Sequence, residues 1–323
     1  MFADIKRASF RHKNNKPWYY VKNHIRYIFP CFFAYRKKLD AALAKIKEYD
    51  IEYINYRLNY YNRLDKLSGL PEDALPLSGF KLKDHKKVYF FDTFEYARYF
   101  NQNLRICPLF GDITHVPEYP SIAKSRPIEG DNANSVIMKL DKIRHFLFIN
   151  DKKPFTEKKD ILIFRGKVYQ EHRIRFMEMY YKKNSKFNVG QVNLVEGAKF
   201  PANRITISEH LNYKFILCLE GNDVASNLKW VMSSNSVAVM PKPKYETWFM
   251  EGTLIPNHHY ILIKDDYSDL EERMDYYINN PEEALFIIKN ANEYIKQFKN
   301  KEREDLLNLL VLNKYFEKTG QIL

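Results

Sequence analysis

Residues 161–181 read ILIFRGKVYQEHRIRFMEMYY, and this segment is the clearest indicator of the fold class. The apolar run at 161–164 has the length and composition of a buried strand. It ends at a polar turn, Arg165-Gly166-Lys167, after which apolar residues at helical spacing run over 171–181. The segment therefore predicts a strand, a turn and a helix in that order.

The same alternation continues through the second half of the chain, after a charged linker at 151–160. Strands are predicted at 187–192, 215–219, 236–240 and 260–263, and helices at 208–214, at 227–232 and twice more before the end. This order is typical of a parallel sheet with helices on both faces, a Rossmann-like α/β domain that binds ligands beyond the carboxyl ends of its strands. Neither G-x-G-x-x-G nor G-x-x-x-x-G-K-[ST] occurs, so dinucleotide oxidoreductases and P-loop proteins lose their main support.

The first half of the chain has a less regular pattern. Apolar residues at helical spacing predict one long amphipathic helix over 38–67. A strand is expected at 88–91, running through Asp92 and Thr93 into a helix with Glu95 as a capping-box acid, and a second strand at 106–110. The prolines over 117–127 predict a loop.

Length and composition restrict the class of protein. The chain has 323 residues, 45% of them hydrophobic, a net charge of +12, 10 Gly and 3 Cys. Disordered, collagenous and disulfide-scaffold proteins are excluded, and the length indicates two domains. The cysteines form no C-x-x-C pair, which favours a reducing compartment over a zinc or disulfide site.

The positive charge is concentrated near the N-terminus. Residues 1–50 hold twelve Lys/Arg against four Asp/Glu, together with aromatic residues that include Phe10, Trp18 and Phe33. Such a segment is typical of contact with anionic lipid or nucleic acid, and an ordinary solvated basic surface is the alternative. No secretory signal or membrane span is expected, since the best apolar run, 27–35, is short and interrupted by Pro30.

Two strand-turn-helix segments of the second half are candidates for phosphate binding. In the first, Arg165, Lys167 and Arg173 could converge on a pyrophosphate and Gly166 would allow close backbone approach; surface ion pairs with Glu171 or Glu178 are the alternative for Arg173 and Arg175. The second runs over 219–229, where a local role in capping the helix is the alternative to ligand binding. Its candidate residues are Glu220, Gly221, Asn222, Ser226, Asn227 and Lys229.

A third candidate segment, Gly111-Asp112-Ile113-Thr114-His115, lies at a predicted strand end in the first half. Asp112 could act as a general base, or could be a turn-forming aspartate bonded to its own backbone. His115, Lys124 and Arg126 are candidates for the acceptor side of a cleft. No second His or Cys stands at metal-ligand spacing from His115, so no metal site is predicted.

Four motifs together resemble glycosyltransferase family ninety. They are Arg165-Gly166 with Arg173, the segment 220–229, the strand 236–240 and the segment 245–252. The family includes protein O-glucosyltransferases, capsule xylosyltransferases and bacterial lipopolysaccharide-biosynthesis proteins, and this chain is most similar to the bacterial branch. The resemblance is dense over 160–298 and thinner over 91–144.

The resemblance implies a GT-B architecture, in which two Rossmann-like domains face each other across a cleft. It also implies an inverting enzyme that uses a UDP-sugar. Fixed side chains that neutralise the leaving group would remove the need for a metal, and no D-x-D triplet is present, so no metal or other cofactor is expected. The family's pyrophosphate arginine matches Arg173, its R-G turn matches Arg165-Gly166, and its catalytic aspartate aligns with Asp112. Many relatives have a basic residue where this chain has Asn227, which makes Lys167 and Lys229 candidate replacements.

On this interpretation the chain has three parts. Residues 1–155 form an acceptor-side domain, 156–300 a nucleotide-sugar-binding domain, and 301–323 a helix that packs back on the first domain. Asp112 takes a proton from an acceptor hydroxyl while Arg173, Lys167 and helix N-termini stabilise the departing UDP. The expected acceptor is a glycan or lipid-linked glycan of lipopolysaccharide or lipooligosaccharide core.

Two expectations concern partners and location. We expect a cytoplasmic protein in peripheral contact with the inner face of the membrane through its basic N-terminal segment, and no nucleic-acid partner. The alternative is a non-catalytic basic protein that binds nucleic acid or anionic lipid. That alternative accounts for the charge but leaves the ordered motifs of the second half unexplained.

Overall fold

The computed structural model describes residues 12–193 and 197–322, so Phe10 and the rest of the first eleven residues lie outside the described part. The chain divides into two compact units. We call the first the sheet unit, which comprises His145–Pro243, Thr253–Gln297 and, of the described residues near the N-terminus, 12–14. The second, the helix-rich unit, comprises Asn15–Arg144, Lys244–Gly252 and Phe298–Leu323.

The α-helices are α1 (Lys16–Ile28), α2 (Phe32–Ala44), α3 (Ile51–Tyr61), α4 (Lys87–Ala97), α5 (Lys142–His145), α6 (Glu171–Tyr180), α7 (Ile207–His210), α8 (Leu228–Val231), α9 (Leu270–Asn279), α10 (Pro281–Lys296) and α11 (Lys301–Lys318). The strands are β1 (Leu75–Pro76), β2 (Arg105–Ile106), β3 (Pro108–Leu109), β4 (Ser121–Ala123), β5 (Ser125–Pro127), β6 (Ser135–Ile137), β7 (Lys159–Gly166), β8 (Phe187–Gln191), β9 (Tyr213–Leu217), β10 (Val237–Met240), β11 (Tyr245–Thr247) and β12 (Ile261–Leu262). Short 3-10 turns lie at Lys45–Glu48, Leu77–Gly79, Leu82–Asp84, Phe155–Glu157 and Glu251–Thr253.

The sheet unit is built on five strands in the order β12-β10-β9-β7-β8, and every neighbouring pair is parallel. All four residues of β10 are buried, as are the last four of β9, because both are central strands of this sheet. The predicted parallel α/β sheet is confirmed, and its strands differ from the predicted bounds by two residues or fewer at each end. Three helices rather than two end the chain, because Asn280 separates α9 from α10 and Asn300 caps α11.

The helix-rich unit combines helices with small sheets. Strands β3, β4 and β6 form a parallel three-stranded sheet, while β1 with β2 and β5 with β11 form antiparallel pairs. The last long helix, α11, contacts α2, α3 and α4. A fully buried ion pair joins Arg57 of α3 to Glu304 of α11 at 3.0 Å, with Lys139 on the second carboxylate oxygen at 3.2 Å.

The prediction of one long helix over 38–67 is wrong. Helix α2 ends at Ala44 and α3 begins at Ile51, after a 3-10 turn. Asp50 caps α3, since its carboxylate accepts hydrogen bonds from the N–H groups of Glu52 and Tyr53. An N-cap aspartate inside an otherwise helical apolar pattern therefore marks the start of a second helix.

The predicted strand at 88–91 is also wrong, because these residues belong to α4. Tyr89, Phe90 and Phe91 are buried and Val88 is half-buried, and a short fully apolar run fits a buried helix as well as a strand. Glu95 consequently lies in the last turn of the helix, paired with Arg26 and Lys142, instead of at its N-terminus.

The segment 117–127, predicted as loop, contains both β4 and β5. Pro120 precedes β4, and Pro127 is the last residue of β5, which has a single strand partner. Proline is tolerated at such positions because no ladder hydrogen bond needs its missing N–H. The predicted strand at 106–110 is two short strands, β2 and β3, and the helices predicted at 208–214 and 227–232 are the single turns α7 and α8.

Candidate active site

The strand order of the sheet unit reverses between β7 and β9. The chain runs from β7 outward to β8 and then returns to β9 on the other side of β7. In open parallel sheets, the loops that leave such a switch point separate and form a crevice where ligands bind. The loops after β7 and β9 hold both phosphate-binding candidates of the sequence.

Arg173, in the first turn of α6, bridges these two loops. Its Nε donates to the carbonyl oxygen of Glu220, its Nη1 to that of Lys167 and its Nη2 to that of Leu219, each over 2.7 Å. Carbonyl acceptors carry no formal charge, so the guanidinium keeps its positive charge at the carboxyl edge of the sheet. Within the described residues these three carbonyls use three of its five N–H groups and leave two for a ligand.

Burial of Arg173 lowers the pKa of its guanidinium to about 10. The group is still protonated at neutral pH, but its charge is partly desolvated. An anion placed against it would compensate for that desolvation. The surface ion pairs considered for Arg173 are replaced by main-chain contacts.

Gly166 is required by close packing around Arg173. A Cβ atom at position 166 would lie 2.5 Å from Cζ of Phe164, and the Phe164 ring lies 5.8 Å from the Arg173 guanidinium. A side chain at 166 would displace this ring. The glycine of the R-G turn therefore keeps the aromatic surface beside Arg173 in place.

Two further side chains connect the loops, and neither was among the candidates predicted from the sequence. Gln170 Nε2 donates to Asn222 Oδ1 over 2.9 Å, and His172 Nε2 donates to the carbonyl oxygen of Glu220 over the same distance. Both lie beside Arg173, at the start of α6. Their only sequence signal is their place between a strand end and a helix.

Arg165 does not converge with Arg173. Its guanidinium donates to the carbonyl oxygen and Oδ1 of Asn188 on β8, each over 2.7 Å, and to the carbonyl oxygen of Asn203. Successive residues of a strand point to opposite faces, so Arg165 projects away from the face of Phe164 and Gly166. Arg165 thus binds β8 and the segment after it.

The remaining donor-side candidates occupy different environments. Asn227 Nδ2 donates to the carbonyl oxygen of Leu217, and its side chain does not cap α8. Lys229 is fully buried, whereas the Lys167 side chain is exposed. Of these two candidate replacements for the missing basic residue, Lys167 is the one with solvent access. Ser226 and Gly221 are half-buried in the same loop, and Asn222 is exposed.

In the helix-rich unit, Asp112 follows β3 and forms an ion pair with Lys124. The Lys124 ammonium is 2% exposed and lies 2.6 Å from Asp112 Oδ1, while the Asp112 side chain is 33% exposed. The pair fixes a solvent-accessible carboxylate on a buried cation. Asp141 is a neighbour, and its pKa is raised to about 6, mainly by burial.

The other two acceptor-side candidates differ in exposure. His115 is exposed. Arg126 is fully buried, where it forms an ion pair with buried Glu246 at 2.8 Å and donates to the carbonyl oxygens of Tyr60, Tyr61 and Ser135. These contacts give Arg126 a role in joining β5, β6, β11 and α3. Within the described residues, no group of three or more His, Cys, Asp or Glu side chains could hold a metal ion.

Comparison with known proteins defines the class. Residues 133–316 match the sequence model of glycosyl transferase family 90. The chain is 41% identical over 304 residues to the O-glucosyltransferase LpsA of Dichelobacter nodosus, a match that covers 92% of this chain and 94% of that protein. It is also 28% identical over 127 residues to the uncharacterized protein 179R of Invertebrate iridescent virus 6, which covers 36% of this chain and 11% of that protein.

The chain therefore belongs to glycosyl transferase family 90, and it is a glycosyltransferase. The resemblance drawn from the four motifs is confirmed. The matched region includes β7, α6 and the loop after β9, so it contains Arg173 and the three carbonyl groups that bind its guanidinium.

Proposed function

We propose that this protein is an inverting, metal-independent glycosyltransferase that moves a sugar from a UDP-sugar to a hydroxyl group of a lipopolysaccharide or lipooligosaccharide core glycan. The observation that carries the proposal is Arg173, a cation held by three carbonyls across the switch point of a parallel sheet. A nucleotide diphosphate is the ligand whose charge and size suit such a crevice.

Two features next to Arg173 support diphosphate binding. Helix α6 has ten residues and begins at the carboxyl edge of the parallel sheet, so its N-terminal N–H groups and dipole favour an anion there. Lys167 is exposed and lies on the loop that connects β7 to α6. Together they would stabilise the negative charge that builds on the leaving UDP as the bond to the anomeric carbon breaks.

Asp112 is the proposed general base. As the acceptor oxygen forms its bond to the anomeric carbon, the hydroxyl proton passes to the Asp112 carboxylate, and the pair of electrons in the broken bond leaves with UDP. Attack opposite to the leaving group inverts the anomeric configuration. The accessible carboxylate of Asp112, fixed by Lys124, suits this role.

The name of the bacterial relative makes UDP-glucose the first donor to test and supports a bacterial glycan as acceptor. The proposal includes a GT-B arrangement, in which the sheet unit binds the donor and the helix-rich unit the acceptor. It also includes a cytoplasmic location at the inner face of the membrane, where a lipid-linked acceptor would be present.

The test is a transfer assay with UDP-glucose and lipooligosaccharide core acceptors, in which UDP release and the anomeric configuration of the product are measured with and without EDTA. We expect an inverted product, equal rates in EDTA, and loss of transfer by an Asp112→Asn variant that still binds UDP. A retained configuration, or wild-type transfer by Asp112→Asn, would contradict the proposed mechanism. Absence of both UDP binding and transfer would contradict the proposed function.

A further inference from the structure

Helix α1 packs on the protein through tyrosine, histidine, asparagine and arginine side chains, and its tryptophan, valine and isoleucine side chains are exposed to solvent. A surface helix of a globular protein normally has the reverse arrangement. Side-chain contacts between α1 and α4 fix which face of α1 points toward the protein.

Two polar contacts hold the inward face against α4, and a hydrogen bond within α1 adds to them. The Tyr19 hydroxyl donates to Asp92 Oδ1 over 2.8 Å, and the Arg26 guanidinium pairs with Glu95 at 2.7 Å. Asn23, which is 3% exposed, accepts a hydrogen bond from Arg26. These groups could not turn toward solvent without breaking buried ionic contacts, which is costly.

Aromatic packing adds to the same face. The Tyr27 ring lies edge-on to Phe90 at 5.3 Å and to Phe94 at 5.7 Å, and the His24 ring lies 4.9 Å from that of Phe91. The inward residues thus recur at positions 19, 20, 23, 24, 26 and 27, which form one side of a helix.

The opposite side of α1, together with Phe29 directly after the helix, is apolar and exposed. We call it the outward face, and it consists of Trp18, Val21, Ile25, Ile28 and Phe29, which are between 49% and 67% exposed. Five large apolar side chains at helical spacing form a continuous stripe, whereas single exposed apolar residues are common and need no explanation.

Basic residues are frequent in the part of the chain that contains this stripe. The segment 12–39 contains seven Lys/Arg and no Asp or Glu. Of these, Lys16, Lys22, Arg36, Lys37 and Lys38 are exposed. A tryptophan and aliphatic residues on one exposed face, in a segment rich in basic residues and without acidic ones, is a composition typical of helices that lie in the interface of an anionic membrane.

We propose that the outward face of α1 docks on the surface of an anionic phospholipid bilayer, with the helix parallel to the membrane plane. None of the helices in the described part of the chain has the length and apolar character to cross a bilayer. Nucleic acid fits the charge but not the stripe, because Val21, Ile25 and Ile28 can neither stack on bases nor bind phosphates. The inference rests on the proposed function only for its purpose, which is to bring the enzyme to a lipid-linked acceptor.

The experiment is vesicle sedimentation of the full chain with phosphatidylglycerol or phosphatidylcholine vesicles. The outward-face variant is Val21→Ser/Ile25→Ser/Phe29→Ser. The matched control is Ile51→Ser/Leu67→Ser/Phe286→Ser, which removes apolar side chains of similar exposure elsewhere. Circular dichroism melts show whether both variants fold.

We expect the wild type and the control to bind phosphatidylglycerol vesicles, and the outward-face variant to bind at least about tenfold more weakly, because apolar burial in the interface is lost. Wild-type binding should be weaker to phosphatidylcholine and at high salt. Equal binding of both variants, or no binding by the wild type, overturns the proposal. A wild-type dimer that the outward-face substitutions dissociate, without vesicle binding, would assign the face to a second copy and also overturn it.

UDP binding separates this inference from the proposed function. The outward-face variant should bind UDP and transfer sugar to a soluble acceptor as the wild type does. Vesicle binding without UDP binding would leave the docking surface standing and contradict the proposed function. UDP binding without vesicle binding would leave the proposed function standing and contradict the docking surface.

Discussion

The buried ammonium of Lys124 lies 2.6 Å from Oδ1 of Asp112, and the two residues are twelve positions apart in the chain. Asp112 lies in the loop after β3, and Lys124 lies between β4 and β5. The contact makes Lys124 a positioning residue for the proposed base, because it holds an accessible carboxylate in one orientation.

A Lys124→Met variant tests this role. Loss of the ammonium frees the Asp112 side chain, and we expect kcat to fall by about 10- to 100-fold, as is usual when catalytic groups are misoriented. The KM for the UDP-sugar should stay near that of the wild type, since the donor candidates lie in the other unit. Steady-state kinetics of Lys124→Met measure kcat and KM separately. Lys81→Met, which replaces an exposed lysine, is the control. A change in KM alone, with kcat intact, would show that Lys124 does not position the base.

Asp141 provides a prediction for the pH dependence of stability. Its pKa is raised by burial from 3.8 to about 6, so between these values the folded state holds a proton that the unfolded state has released. The free energy of unfolding should therefore fall as pH rises through this range, by up to about 3 kcal/mol from this group. Asp141→Asn removes the effect, and asparagine tolerates the positive φ of 52° at this position.

Thermal melts of Asp141→Asn and wild type at several pH values measure the difference. We expect the variant to be the more stable protein above about pH 6.5, with the advantage declining toward about pH 4. An advantage that is the same at every pH would show that Asp141 is not responsible.

Gly166→Ala should disturb the surface beside Arg173. The new Cβ would lie 2.5 Å from Cζ of Phe164, so the ring must move. We expect weaker UDP binding in titration calorimetry and a loss of about 1–3 kcal/mol in stability, typical of overpacking. Gly69→Ala is the matched control, because no atom lies within 4 Å of its Cβ position. Equal UDP affinity of both variants and the wild type would contradict the packing argument.

Glu304→Ala should destabilise the helix-rich unit. The substitution leaves Arg57 buried without its carboxylate and also removes the contacts to Lys139 and the Trp248 indole N–H. Breaking a buried ion pair in this way costs about 3–5 kcal/mol. Urea unfolding of Glu304→Ala should show this loss, while Glu293→Ala, which breaks an exposed pair with Lys296, should change stability by less than about 0.5 kcal/mol.

The sheet unit could be predicted from the sequence because its strands are short apolar runs that end in polar turns. The pattern at 161–181 is repeated with little interruption, and β7, α6, β8, β9 and β10 lie close to their predicted positions. In the helix-rich unit, the single helix predicted over 38–67 is wrong because the apolar pattern continues across the N-cap residue Asp50. The strand predicted at 88–91 is wrong because burial on several sides removes periodicity. Tyr89, Phe90 and Phe91 read as a strand for this reason, although they pack inside a helix.

The candidate site shows the same division. Arg173 and Gly166 were identified from their place in a strand-turn-helix unit, and the structure puts both at the switch point. To predict that Arg165 lies apart from Arg173, one must know which face of β7 each residue occupies, since neighbouring residues of a strand face opposite ways. The burial of Arg126 against Glu246, 120 residues later, depends on a strand pairing between β5 and β11 that no local pattern shows.

Calorimetric titration of UDP into wild type, Arg173→Ala and Arg175→Ala measures whether Arg173 binds the donor nucleotide. Arg175 lies on the same helix, is exposed, and donates to the carbonyl oxygen of Asp265, so it is the matched control. If Arg173 binds the diphosphate, Arg173→Ala should weaken UDP binding by about 10- to 100-fold, the value of one or two charge-assisted hydrogen bonds, and Arg175→Ala should bind as the wild type does. An unchanged affinity in a folded Arg173→Ala protein would contradict the assignment of the switch point between β7 and β9 as the donor site.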